Sequence, residues 1–217
     1  MKQYDPDSLL ISFHVPKCAG VSVADVLTGW FGSSLHLHYP AEESPAPLPA
    51  DTSRHKCVHG HFFSPDIAAA ACDYYPAASQ MITFLRHPLN MAISSYRFAR
   101  ARSVPVPCTL ERYIEAVCDA GILMEYKHLP YDPKDEGSIA TMQRDFVYVG
   151  VVEDFALSVR GLASALGFAV RDVPHLNALG SSFPPLSANV RRRFGRVFER
   201  EIEFFLSWAP FGKSPGN

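Results

Sequence analysis

The sequence predicts an α/β protein of one domain, in which helices flank a central, mostly parallel β-sheet. Three short apolar runs, at residues 9–15, 81–86 and 146–152, are rich in strand-forming side chains and too short for helices. Each run is followed by residues with helical periodicity. Because strands that alternate with helices are joined by crossover connections, they are expected to run parallel in one sheet.

The first apolar run leads through a turn into a helix. A proline at position 16 ends the run, and a helix is predicted from Gly20 onwards. The apolar residues of this helix have the spacing i, i+3, i+4, i+7 and are Val23, Val26, Leu27 and Trp30. The predicted order is therefore strand, turn, helix.

The later elements repeat this order. A second strand is predicted at residues 56–61, and a third at residues 81–86 precedes a helix from Leu89 to about Arg102. Pro88 suits the first turn of that helix, where its missing N–H costs no hydrogen bond. After the fourth strand, at residues 146–152, a helix is predicted to begin near Asp154. A long C-terminal helix is predicted from the apolar residues Val190, Phe194, Val197, Phe198 and Phe205.

Two segments are less regular. Residues 39–55 contain four prolines and few large apolar side chains, so an exposed loop is predicted there. Residues 103–145 contain one predicted helix and then a polar stretch, EYKHLPYDPKDEGS, for which no element is predicted. The apolar face of that helix consists of Leu110, Tyr113, Ile114 and Val117.

Composition and charge exclude several classes of function. The chain has 217 residues, 47% of them hydrophobic, which suits one globular domain. A net charge of −2 gives no overall positive field to recruit nucleic acid or an anionic membrane, so any anion site is local. Five cysteines without a C-x-x-C pair argue against a disulfide framework or a cysteine zinc site, and favour a reducing, cytoplasmic location. No apolar run approaches the roughly 20 residues that span a bilayer.

The turn at residues 16–22 has the composition of an anion site. Ligands of an open parallel sheet bind at the carboxyl ends of the strands, where this turn is predicted to lie. Backbone N–H groups near Gly20 can cradle a phosphate or sulfate, Ser22 can donate a hydroxyl hydrogen bond, and Lys17 supplies a positive charge. The alternative is an ordinary turn between a strand and a helix.

A second anion-binding pair follows the third strand, in FLRHPLNMAISSYRFAR. Arg86 lies at the strand end and Ser94 in the next helix, so both can hold one phosphate. The nucleotide triphosphatase pattern G-x-x-x-x-G-K-[ST] is missing, because Lys17 precedes Gly20, and so is the dinucleotide pattern G-x-G-x-x-G. Kinase and dehydrogenase interpretations thereby lose their main support.

These two segments resemble the signatures of the sulfotransferase family that uses 3′-phosphoadenosine 5′-phosphosulfate (PAPS). HVPKCAGVS is similar to the first signature, and FLRHPLNMAISSY is similar to the second. The later stretches FVYVGVVEDFALSVRGLASALGF and PHLNAL are similar to the family's later strand, helix and Asn-containing segment. The resemblance implies a P-loop-NTPase-like sulfotransferase fold over residues 1–217, with residues 103–145 as an insertion on the acceptor side.

The resemblance also implies which residues bind the co-substrate. Lys17 would hold the 5′-phosphosulfate together with the rest of its loop, and Arg86 and Ser94 would bind the 3′-phosphate. The implied loop residues are Pro16, Lys17, Cys18, Ala19, Gly20, Val21 and Ser22.

The loop departs from the family pattern at two positions. Cys18 and Val21 stand where many relatives have threonines, and His87 replaces the common aspartate after the arginine. Backbone donors do not depend on side-chain identity, so the phosphate cradle is expected to persist.

The remaining motif is VHGHF. His59 and His61 would lie on one face of a strand, because Gly60 takes the alternate position. A structural pair and a metal pair are both possible, but no H-E-x-x-H motif or cysteine partner supports metal, and none is required. The motif resembles the His-Gly-His of uronyl-directed relatives, which implies that His61 is the catalytic base and His59 its support.

The predicted function is transfer of the sulfuryl group of PAPS to an acceptor hydroxyl, with a carbohydrate acceptor favoured and a lipid or other small alcohol as the alternative acceptor. Lys17 would stabilise charge on the leaving oxygen, and His61 would take the acceptor proton. Glu42, Glu43 and Glu153 are the alternative bases. The alternative functions are a non-catalytic nucleotide-binding or interaction protein with this fold, and a nucleotide-dependent kinase.

Overall fold

A five-stranded parallel sheet forms the centre of the protein in the computed structural model, which describes residues 1–39, 55–62, 75, 78–170 and 185–209. The strands are β1 (Leu10–Phe13), β2 (Leu35–His38), β3 (Cys57–Gly60), β4 (Gln80–Leu85) and β5 (Phe146–Val151). Their order across the sheet is β2-β3-β1-β4-β5, and every neighbouring pair is parallel.

Helices cover both faces of this sheet. They are α1 (Gly20–Phe31), α2 (Pro88–Ala101), α3 (Leu110–Ala120), α4 (Ser138–Asp145), α5 (Phe155–Leu166), α6 (Ala188–Val197) and α7 (Glu199–Leu206). Short 3-10 helices lie at Gly32–Ser34, Met124–His128 and Val152–Asp154. Within the described ranges, no helix has the length and apolar character needed to cross a membrane.

Two apolar layers form because side chains alternate along each strand. Ile11 and Phe13 of β1 face the layer that contains buried side chains of α2, α3, α6 and α7. Leu10 faces the opposite layer, which is made with α1 and α5. The predicted fold class, helices on both faces of a parallel sheet, is therefore what the structure has.

Four sequence predictions about elements were incomplete or wrong. One of them concerns α4, which lies in residues 103–145, where only one helix was predicted. The edge strand β2 was not predicted, and the strand expected to reach His61 ends at Gly60. The single C-terminal helix is two helices, because the backbone of Phe198, at φ −113° and ψ 31°, interrupts it between α6 and α7. Of the loop predicted at residues 39–55, residues 40–54 lie outside the described residues.

The strand order fixes where a ligand can enter. From β1 the chain passes through α1 to β2 on one side of the sheet, whereas from β4 it passes to β5 on the other. In an open parallel sheet, connections that leave in opposite directions open a crevice at the carboxyl ends of the adjacent strands. The segments after β1 and β4 therefore face each other across this crevice.

Candidate functional site

A cleft of about 500 Å³ lies at the carboxyl ends of β1 and β4. It is lined by His14, Pro16, Lys17, Ala19, Gly20, Val21, Ser22, His61, Arg86, Ser94, Phe98, Val152 and Phe155. Nine of the predicted site residues are in this set, and they come from both signature segments and from the histidine motif. Cys18 and His59 are the two predicted site residues outside it.

The loop after β1 has an unusual backbone. Lys17 and Ala19 both have left-handed backbones, with φ of 65° and 60°, although neither is glycine. Left-handed residues in a turn can direct neighbouring N–H groups toward one point and make an anion-binding concavity, although the N–H of Cys18 donates to the carbonyl oxygen of Val15. Ala19 is the N-cap of α1 and provides no side-chain cap, so the first N–H groups of the helix point toward the cleft without an intrahelical acceptor.

Gly20 is required by a neighbouring ring. A Cβ atom at this position would lie 1.9 Å from Nε2 of His14, so no side chain fits there while the imidazole keeps its place. The sequence prediction was that the glycine lets an anion approach, and the structure adds this second reason for its presence.

Cys18 points away from the cleft: its side chain is buried and its Sγ lies 3.9 Å from Sδ of Met91.

Lys17 is held above an aromatic ring of α2. Its Nζ lies 3.4 Å from the ring centroid of Phe98, and the guanidinium carbon of Arg102 lies 4.3 Å from the same centroid. The pKa of Lys17 is lowered to about 8, mainly by burial; Glu125 acts in the opposite direction, and Arg102 and Arg86 add smaller contributions that lower it. The ammonium group is therefore positive at neutral pH and close to its titration range.

Arg86 connects the two signature segments. Its Nη1 donates a hydrogen bond of 3.2 Å to the carbonyl oxygen of Lys17. Its Nε is buried and has no hydrogen-bond partner. The Tyr126 hydroxyl donates to the carbonyl of Arg86 at 3.2 Å and fixes the backbone there. A guanidinium with an unused donor beside Ser94 suits a phosphate group.

Glu153 has a structural role. Its Oε1 accepts hydrogen bonds of 2.9 Å from the backbone N–H of His87 and from the side-chain amide of Asn90. The His87 ring in turn caps α2, with Nδ1 accepting from the N–H of Leu89. This carboxylate, one of the alternative bases, thus fixes the start of α2.

His59 lies beneath the cleft with both ring nitrogens bonded. Its Nε2 is 3.2 Å from the carbonyl oxygen of Gly20, and its Nδ1 is 2.8 Å from the Ser12 hydroxyl. Because a carbonyl only accepts, Nε2 carries the proton and the hydroxyl donates to Nδ1. Burial lowers the pKa of His59 to about 4, so the imidazole is neutral and its protonated Nε2 holds the first residue of α1.

His61 lies in the cleft within a cluster of rings. Its ring centroid is 4.5 Å from that of His14, 4.9 Å from that of His128 and 5.1 Å from that of Tyr39. Its Nε2 is buried and has no hydrogen-bond partner. Burial lowers its pKa, which keeps the imidazole able to accept a proton at neutral pH.

The neighbours of His61 are also uncharged. Burial, with smaller contributions from the other histidines, lowers the pKa of His14 to about 2, and burial lowers that of His128 to about 4. Burial raises the pKa of Tyr39 to about 12, and its hydroxyl lies 3.0 Å from Nδ1 of His14. No group of metal-ligating side chains with suitable geometry occurs among the residues that the structure describes.

Six residues of the site have no predicted role: His14, Tyr39, Phe98, His128, Val152 and Phe155. His14 is the first residue of HVPKCAGVS, so its position in the sequence was a usable signal. Phe98 lies one helical turn beyond Ser94, on the same face of α2. Tyr39 and His128 lie in segments without a recognisable motif, and only tertiary contacts bring them to His61.

Comparison with known proteins supports the fold. No protein-family model matches the sequence, and no curated protein matches it. A sulfotransferase from Alicyclobacillus acidocaldarius superposes with a TM-score of 0.54 at 14% identity, covering 94% of this chain and 95% of that chain. Mouse sulfotransferase SULT7A1, in a complex with PAP, has a TM-score of 0.50 at 15% identity, covering 92% of this chain and 66% of that chain. At such identities the similarity establishes a sulfotransferase-like α/β fold.

Proposed function

We propose that this protein transfers the sulfuryl group of PAPS to an acceptor hydroxyl, with a carbohydrate as the favoured acceptor. One observation carries the proposal: Lys17 and Arg86, 69 residues apart in the sequence, line one cleft and are joined by a hydrogen bond. The two sulfotransferase structures with the same fold support it, and one of them is a complex with PAP.

The cleft fits a nucleotide with two anionic ends. The loop of Lys17 offers backbone N–H groups at the start of α1, a positive charge and the hydroxyl of Ser22. Arg86 has a buried, unused Nε, and Ser94 lies beside it. The first group of residues would hold the 5′-phosphosulfate and the second the 3′-phosphate. No residue of either group requires a metal ion.

The chemistry needs a base and a cation near the leaving oxygen. PAPS, when bound, supplies a sulfuryl group whose bond to the bridging phosphate oxygen breaks as the acceptor oxygen bonds to sulfur. Lys17 stabilises the negative charge that develops on the bridging oxygen. His61 takes the acceptor's proton at a ring nitrogen. Its unpartnered Nε2 is compatible with this role, since catalytic hydrogen bonds are often incomplete before substrate binds.

His59 supports the site from below. Both of its nitrogens are occupied and its pKa is about 4, so it holds Gly20 in place while His61 accepts the proton.

The carbohydrate acceptor and the cytoplasmic location are parts of the same proposal. The former rests on the resemblance of VHGHF to its relatives, and the latter on the free thiols of Cys18, Cys57, Cys108 and Cys118.

The experiment is a thermal-stability titration with three ligands: 3′-phosphoadenosine 5′-phosphate (PAP), AMP, and ATP with magnesium. A ligand that binds only the native state stabilises it by about 2.7 kcal/mol at 100 times its Kd, and PAP is expected to give the largest shift. Arg86→Ala should weaken PAP about 10- to 100-fold while changing AMP little, because a charge-assisted hydrogen bond is worth roughly 1.5–3 kcal/mol. Arg100→Ala, on an exposed part of α2, is the matched control.

Other outcomes would support the alternative functions or refute the assignment of Arg86. A larger shift with ATP and magnesium would favour a kinase. PAP binding without turnover of PAPS across an acceptor panel would favour a non-catalytic nucleotide-binding protein. Equal losses of PAP and AMP affinity in Arg86→Ala would refute the 3′-phosphate assignment.

A further inference from the structure

We propose that the acceptor of this enzyme is an uncharged alcohol that presents a ring face, such as a neutral sugar, and that uronic acids and other anionic acceptors are discriminated against. The inference rests on the proposed sulfuryl transfer and names the class of its acceptor. It departs from the uronyl preference that the His-Gly-His resemblance implies.

The rings of His14, Tyr39 and His128 surround His61 and form an aromatic wall beside it. An acceptor hydroxyl that reaches this imidazole approaches past His14, whose ring centroid is 4.5 Å away, and near Tyr39 and His128, at 5.1 and 4.9 Å. Tyr39 is 44% exposed, so part of its surface is open to a ligand. Flat side chains of this kind pack against the apolar face of a ring and offer single, directed hydrogen bonds.

These rings carry no charge with which to bind an anion. The pKa of His14 and that of His128 are lowered to about 2 and 4 by burial, and that of Tyr39 is raised to about 12. At neutral pH all three side chains are therefore neutral. A carboxylate brought against them would lose hydration without gaining an opposite charge.

The proposed function already assigns both cations that line the cleft to the binding of PAPS. Among the described residues that line the cleft, only Lys17 and Arg86 carry a full charge, and the hydrogen bond between them places both at the nucleotide loop. Outside this lining, Arg102 lies against the Phe98 ring beside Lys17, and Glu125, which accepts a hydrogen bond from Ser95, acts to raise the pKa of Lys17. No described cation of the lining remains for a carboxylate or sulfate of the acceptor.

A matched pair of acceptors tests the proposal: phenyl β-glucoside and phenyl β-glucuronide, which differ only at C6, a hydroxymethyl group in the first and a carboxylate in the second. PAP binding is measured first, and its absence would refute the proposed function itself. With PAP bound, calorimetry gives the Kd of each glycoside, and transfer from PAPS gives kcat/KM. The glucoside is expected to bind at least tenfold more tightly and to be the better acceptor. An equal or tighter glucuronide, or binding of neither glycoside to the PAP complex, overturns the inference.

A charge added to the wall provides the converse test. Tyr39→Arg should narrow or reverse the preference between glucoside and glucuronide. Ile122→Arg adds the same charge at a 46% exposed side chain that lines a separate pocket with Lys134 and Glu201, so it should leave the preference unchanged. The same shift in both variants, or in neither, would show that the wall around His61 does not select the acceptor.

Discussion

Protonation of His59 is expected to destabilise the protein in mild acid. Its ring donates through Nε2 to Gly20 and accepts at Nδ1 from Ser12, an arrangement that only the neutral imidazole can make. Its side chain is 1% exposed, and burial lowers its pKa from an ordinary 6.5 to about 4. Between these two pH values the unfolded chain binds a proton that the folded chain does not bind, so stability falls as the pH falls below 6.5.

The size of the effect follows from the two pKa values. At pH 5 the unfolded histidine is almost fully protonated and the folded one almost fully neutral, and each pKa unit corresponds to 1.36 kcal/mol. His59 alone should therefore lower the free energy of unfolding by about 2 kcal/mol between pH 7.5 and pH 5. His14 and His128 have lowered pKa values as well, so the total loss in the wild type should be larger.

The comparison that isolates this residue is with His59→Gln. A glutamine amide offers one acceptor and one donor group but does not titrate. Urea unfolding of both proteins at pH 7.5 and pH 5 gives the loss for each, and the variant should lose about 2 kcal/mol less than the wild type. Equal losses in the two proteins would contradict the assignment of a neutral, doubly bonded His59.

Three further outcomes are expected. The affinity for PAP should fall by up to about tenfold from pH 7 to pH 9, because Lys17 loses its charge around pH 8. In calorimetry, Lys17→Arg should give an affinity that changes less with pH. A steep fall in both proteins would place the titrating group elsewhere. Gly20→Ala should lower the free energy of unfolding, measured in urea, by about 1–3 kcal/mol, because the added methyl group collides with the His14 ring. Adding His14→Ala should recover most of this loss in the double variant. Additive losses would mean that the methyl group and the ring do not collide. His61→Ala should lower kcat about 10²- to 10⁴-fold with little change in PAP affinity, and a variant that keeps its activity would place the base elsewhere.

The elements with strong local patterns were predicted from the sequence, and the others depend on tertiary contacts. β4 (QMITFL) and β5 (FVYVGV) are six residues long and mostly apolar, so they are recognisable as buried strands. β2, in contrast, is LHLH, and it is a strand because its backbone pairs with β3. A Cβ at Gly60 would lie 1.8 Å from the carbonyl oxygen of His38, so this pairing needs the glycine of the histidine motif.

The break in the C-terminal helix could not be predicted from the sequence for a different reason. Val197 and Phe198 continue the apolar spacing across it, so periodicity alone gives no sign of an interruption. The Phe198 ring lies 4.6 Å from that of Phe194 and is fully buried, which fixes the backbone at the break through packing. Such a constraint exists only in the folded chain.

For the site, the motif residues were predicted because each signature is contiguous in the sequence. The aromatic surroundings of His61 were not, since Tyr39 and His128 come from distant segments. The different burial of the two histidines of VHGHF was also hidden in the sequence. Strand alternation places both on one face, and only the end of β3 at Gly60 leaves His59 buried and His61 in the cleft.

The hydrogen bond from Arg86 to the carbonyl of Lys17 should couple the two ends of the cleft that are proposed to bind phosphate groups. Lys17 has a left-handed backbone that costs free energy, so the loop keeps this shape only while its surroundings hold it. A ligand that engages Arg86 reorganises the same guanidinium that supports the loop. Affinity measured at one end of the nucleotide should thus depend on what occupies the other end, and substitutions at the two ends should give non-additive changes in free energy.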